Sequence, residues 1–160
     1  PKSLSFLVLL EINILRVNLF MTENTFVDTN IFVYFRDSAN ERKQLIASEC
    51  LSKLWENKTG YISTQVLNEY FVTVTKKIRM PLSTSDAWSD IEELEKWNPV
   101  NMDFELLKTA YQAISTYSLS WWDALIIAAA KVCGCKSILS EDFSTEKNYF
   151  GVRAINPFVS

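Results

Sequence analysis

Short apolar runs alternate along this chain with longer stretches of helical periodicity, and that alternation restricts the fold more than any other feature. Thr25-Phe26-Val27, Gly60-Tyr61-Ile62-Ser63, Ser137-Ile138-Leu139 and Val152-Arg153-Ala154-Ile155 are too brief for helices and read as buried strands. Between them, residues 40–57 carry apolar side chains at Leu45, Ile46, Leu51, Leu54 and Trp55, which is the spacing of one helix face. Ser63 or Thr64 can cap a helix running to about Ile78, with Leu67, Tyr70, Phe71 and Val74 on one face and Pro81 closing the unit. Ser83 or Ser85 starts another helix to about Trp97, Pro99-Val100 is a short strand signal, and residues 103–116 and 121–132 read as two further helices. Strands separated by helices predict an α/β fold with a central, mainly parallel sheet flanked by helices on both faces, in which functional groups gather at the carboxyl ends of the strands.

The 160 residues suffice for one domain with a sizeable core. Residues 1–20 are apolar but carry Glu11, Asn13, Arg16 and Asn18, and the unbroken apolar run Phe6–Leu10 is far below the roughly 20 residues of a membrane span. The expected organisation is an extension over 1–20, outside the fold, and a folded domain over 21–160 beginning at Met21, with no membrane association. Cys50, Cys133 and Cys135 are an odd set without CxxC spacing and read as reduced, mostly buried thiols of a cytoplasmic protein.

The chain has no histidine. That excludes Ser-His-Asp and Cys-His catalysis, His-ligated zinc and imidazole acid–base chemistry, leaving carboxylates, hydroxyls, amines and thiols. Lys and Arg number 16 against 19 Asp and Glu, net −3, so bulk charge offers no nucleic-acid footprint and any such binding needs a local patch.

Four carboxylates stand out against apolar surroundings: Asp28, Glu69, Asp123 and Asp142. Asp28 ends a strand signal and precedes a helical one, where it can act as an N-cap. Glu69 lies one turn beyond Val66, and a solvated glutamate is its plain reading. Asp123 shares a helical face with Ile126, Ile127 and Ala130, which directs its carboxylate into or beside the core, although first-turn placement also suits a helix N-terminus. Asp142 follows a strand, where a turn residue is ordinary. Together, two strand-end aspartates, a helical Glu and a half-buried helical Asp suit a hard divalent cation held by oxygen ligands. Such an ion lowers the pKa of a bound water and can clamp the oxygens of a phosphodiester displaced in line.

Val27-Asp28-Thr29-Asn30-Ile31, Asn68-Glu69-Tyr70, Trp122-Asp123-Ala124-Leu125-Ile126 and Leu139-Ser140-Glu141-Asp142-Phe143 resemble, in order and spacing, the motifs of PIN-domain ribonucleases. The terminal Gly151-Val152-Arg153-Ala154-Ile155-Asn156-Pro157-Phe158 resembles the end of the VapC-type toxin branch of bacterial toxin–antitoxin pairs. The similarity covers Met21 to Ser160 and implies a PIN-like sheet, a Mg²⁺ or Mn²⁺ pocket and endonucleolytic cleavage of RNA. It further implies catalytic and metal-site roles for Asp28, Glu69, Asp123 and Asp142, supporting polar roles for Asn30 and Ser140, an antitoxin partner and a homodimer. The chain departs from the pattern after Asp142, where residues 144–149 lack a frequent glycine.

Lys76, Lys77 and Arg79 follow the Glu69 helix and can grip RNA phosphates, as can Lys131 and Lys136 beside the Cys133 turn, although helix-end solubilising charges have the same look. Two other readings stay open. One is an aspartate-based phosphotransferase or phosphatase with Asp28 as phosphoacceptor, against which Asn30 stands where a second acid is wanted. The other is a catalytically silent PIN-like binding module.

Overall fold

The structure, a computed structural model, describes residues 21–159; the expected extension over residues 1–20 lies outside them. Strand β1 (Thr25–Val27) leads through α1 (Thr29–Arg36) and α2 (Glu41–Asn57) to β2 (Gly60–Tyr61). Helices α3 (Thr64–Lys76) and α4 (Thr84–Leu94), a 3₁₀ turn (Glu95–Trp97), α5 (Phe104–Tyr117) and α6 (Trp121–Val132) then precede β3 (Ser137–Leu139), β4 (Asn148–Tyr149) and β5 (Val152–Ile155). The sheet order is β2-β1-β3-β5-β4, parallel except for the antiparallel β4–β5 pair.

Every residue of β1 and β3 is buried, including neighbours that point to opposite faces, so helices cover the sheet on both sides. The helices start where short polar side chains offer an acceptor to an otherwise unpaired amide: Asp28, Asn40, Ser63, Ser83, Asp103 and Ser120 all serve as N-caps. Helix α6 is buried without a break from Ala124 to Ala130, which follows from a segment apolar nearly all round. The same core contains Phe26, Ile31, Leu54, Tyr70 and Ile138.

Several local expectations are corrected. The Gly60 strand pairs over two residues only, because Ser63 turns out of the sheet to cap α3, and Pro99-Val100 contributes a single parallel bridge, Ser63 to Val100. Gly60 is packed so closely on Trp97 that a Cβ would stand 2.0 Å from the ring. The β4–β5 hairpin was not foreseen: Phe150 and Gly151 both take positive φ, 54° and 88°, as a two-residue type I′ turn requires. Trp88 on α4 is 55% exposed. All three cysteines are free, with Cys50 and Cys135 buried and Cys133 half-buried. No helix of the described residues is long and apolar enough to cross a membrane.

Candidate active site

The parallel register pairs Val27 with Leu139, so the next residues, Asp28 and Ser140, leave the sheet side by side. Two backbone bonds fix them there, from the Asp28 amide to Leu139 O at 3.0 Å and from the Ser140 amide to Ile155 O at 3.0 Å. This is also where the chain reverses its direction across the sheet, with β2 on one side of β1 and β3 and β5 on the other, the crevice in which α/β sheets bind ligands.

Asp28 caps α1 through the Thr29 amide, at 2.7 Å, and its other oxygen accepts from Ser140 Oγ at 2.6 Å and from Asn30 Nδ2 at 3.3 Å. Ser140 Oγ in turn accepts from the Asp142 amide at 3.1 Å. The Asn30 amide also donates to Asp142 Oδ2 at 3.0 Å, so one nitrogen ties both strand-end carboxylates together. Asp28 is buried and Asp142 exposed. Burial pushes the Asp28 carboxyl up from 3.8 to about 7, with the charges of Asp142 and Glu69 adding to the rise and the bonds from Ser140 and Thr29 opposing it.

Across the crevice, α3 presents Glu69, whose oxygens accept from Thr29 Oγ1 at 2.9 Å and from Gln65 Nε2 at 2.8 Å. Gln65 lies one turn before Glu69 on the same helix face, and its Nε2 also reaches Trp122 O at 3.3 Å, linking α3 to the first turn of α6. Asp123 is half-buried beside the crevice rather than pointed into the core; Ser120 caps its amide, and its carboxylate has no hydrogen-bond partner among the described residues. Asp28, Glu69, Asp123 and Asp142 line one cavity of about 450 Å³, together with Asn30, Lys77 and Arg79. Lys76, Lys131 and Lys136 are not among its lining residues.

Reading the sequence missed the brace behind this site. The Glu141 amide donates to Asn30 Oδ1 at 3.4 Å, while the Glu141 carboxylate accepts from Tyr34 Oη and from Lys43 Nζ, the latter at 2.6 Å. Lys43 lies 4.2 Å above the Tyr34 ring, and Phe158 packs edge-on against Tyr34. Thr29 was visible inside the first motif and Gln65 at helical spacing from Glu69; for Lys43 the linear sequence carries no signal.

Hard divalent cations prefer oxygen donors, and the acids of this cavity, with Thr29 beside them, supply only those. Among the described residues there is no group of three or more acidic or thiol side chains placed to hold one metal ion. Mg²⁺ does not need such a group, since it keeps several waters and takes one or two carboxylates. Asp28 gains from a positive charge that favours its ionised form, and Gln65 Oε1 is a buried acceptor with no hydrogen-bond partner among the described residues. The residues present therefore fit such an ion.

A mainly parallel sheet whose first and third strands deliver carboxylates to a crevice faced by two more from flanking helices defines an α/β domain with an acidic pocket at its switch point. Residues 25–150 match the PIN domain family, and the chain belongs to it. The fold is shared with the crystal structure of VapC20 of Mycobacterium tuberculosis, described as a sarcin-ricin loop cleaving toxin, with a TM-score of 0.59 and 20% identity over 81% of this chain and 98% of that one. No curated protein sequence matches the chain.

Proposed function

We propose that this chain is a divalent-metal-dependent endoribonuclease, the toxin of a toxin–antitoxin pair. The observation that carries the reading is the convergence of Asp28, Glu69, Asp123 and Asp142 on one cavity at the carboxyl end of the sheet, in a chain of the PIN domain family. The structural similarity to an RNA-cleaving VapC toxin supports the same class. Asp28 and Asp142 would hold Mg²⁺ or Mn²⁺, with Glu69 and Asp123 facing them. Bound there, the ion supplies Lewis acidity that acidifies water and offsets phosphate charge.

The protein's own part is placement. Ser140 and Asn30 fix the rotamers of Asp28 and Asp142, so the carboxylates need no reorganisation when the substrate arrives. Thr29 and Gln65 hold Glu69 toward the same space. Lys77 and Arg79 line the cavity and make no ion pair among the described residues, which leaves them to bind phosphate oxygens. Lys76 would add to the field from outside.

The phosphotransferase reading loses support because both Asp28 oxygens are engaged by Thr29, Ser140 and Asn30, and a buried carboxyl in that lattice is a poor nucleophile. The silent-module reading is not favoured by a site that retains all four acids. An antitoxin partner, a homodimer and a cytoplasmic location belong to the same proposal. The test is incubation of the purified chain with structured RNA in Mg²⁺ and in EDTA. Internal cuts that need the metal are expected; metal-independent cleavage, or none, removes the reading.

A further inference from the structure

Beside the acidic cavity lies a second one, of about 620 Å³, more apolar in its walls, and the two share Thr29, Gln65, Glu69, Thr73, Lys77 and Trp122. The second adds Asn68, Val72 and Met102. Trp122 stands between them with its side chain largely in solvent, 62% exposed, although its backbone is fixed at the start of α6 and by the bond from Gln65. An indole open at that place, at the mouth of two adjoining cavities, offers a flat apolar surface to whatever enters them.

On the ribonuclease reading, on which this rests, the phosphodiester lies over the acids and its flanking nucleotide must extend into whatever adjoins them. We infer that Trp122 is the stacking platform for one unpaired base next to the scissile phosphate, with Val72 and Met102 closing the apolar floor and Lys77, shared by both cavities, holding the connecting phosphate. Three features favour a nucleobase as the occupant. The cavity adjoins the acidic one through their shared walls, a cation stands at the junction, and an exposed aromatic suits any base without a sequence-specific hydrogen-bond set. A base paired inside a duplex cannot reach that face, so the chain should cut at unpaired nucleotides.

The test uses the full chain with a hairpin RNA cut in its loop, and Trp122→Ala, Trp122→Phe and Trp122→Leu variants checked for folding by circular dichroism. Trp122→Ala should raise KM roughly ten- to hundredfold with kcat within about threefold, Phe should restore most of the loss and Leu should not. An RNA abasic at the nucleotide beside the cut should show the same KM penalty with the wild-type chain and no further penalty with Trp122→Ala. If Leu serves as well as Phe, or Trp122→Ala cuts like wild type, the base subsite is wrong while the ribonuclease reading stands. Loss of a dimer in light scattering by Trp122→Ala with an unchanged KM would assign the indole to a second copy instead. A wild-type chain that cuts no RNA overturns both.

Discussion

The two walls of the acidic cavity are built differently. On the sheet side, Asp28 and Asp142 are cross-bonded through Asn30 and Ser140, and Asp28 is buried. On the helix side, Glu69 leans on Thr29 and Gln65, and the Asp123 carboxylate has no hydrogen-bond partner among the described residues. One wall is cross-bonded from strand to strand before any ligand arrives, whereas on the other Glu69 is held only by side chains and the Asp123 carboxylate is left to adjust. Backbone register explains the difference: adjacent parallel strands deliver Asp28 and Ser140 to one spot, but α3 and α6 meet the crevice only through side chains.

The sharpest way to break this asymmetry is Asp28→Asn. Asn caps a helix nearly as well as Asp, so the fold should persist, while RNA cleavage should fall at least a hundredfold, about 2.7 kcal/mol in the barrier. Folded chain with more than a tenth of wild-type activity would remove Asp28 from the catalytic set.

A second effect concerns stability without metal. A carboxyl whose folded value of about 7 exceeds its ordinary 3.8 binds its proton more tightly when native. Its stabilising share is complete below about pH 3.8 and is lost as pH rises to about 7, a change of the order of a few kcal/mol. Denaturant melts in EDTA should therefore show stability falling over that window, and the fall should be much reduced in Asp28→Asn. An unchanged slope in the variant would place the titration elsewhere.

Smaller still is Ser140→Ala, which leaves the buried Asp28 oxygen with only the long bond from Asn30. A loss of about 1–3 kcal/mol in stability is expected, with the Asp28 carboxyl moved further up, because Ser140 now holds it down. Calorimetric melts and the pH midpoint of cleavage measure both. Lys43→Met, which breaks the half-buried pair with Glu141 behind the wall, should cost under about 1 kcal/mol and reduce cleavage severalfold through the Asn30 contact; chemical melts and initial rates check it, and a hundredfold loss of rate would mean that Lys43 meets the substrate.

The same asymmetry marks what the linear sequence made legible. Strand–helix alternation and six capping side chains are local signals, so the parallel sheet and the helix starts were readable, as was the order of the four acids. Residues set by long-range contacts were not. Lys43 reaches Glu141 across 98 positions, and Trp122 is exposed beside the crevice although its segment is apolar. The β4–β5 hairpin escaped because its turn uses Phe150-Gly151 in place of the usual Asn-Gly. Trp88 is largely in solvent on α4 although large aromatics are mostly buried, because its helix turns that position away from the core.

The most direct test of a pre-set wall holding the cation is the thermal stability of wild type, Asp28→Asn and Asp123→Asn at pH 7.5 across a Mg²⁺ titration. Ligand binding confined to the native state stabilises by RT ln(1 + [L]/Kd), about 2.7 kcal/mol at a hundredfold excess over Kd. Wild type should gain stability with Mg²⁺, Asp28→Asn should lose that gain almost entirely, and Asp123→Asn should retain part of it at higher Mg²⁺. A full Mg²⁺ gain in Asp28→Asn would contradict the account.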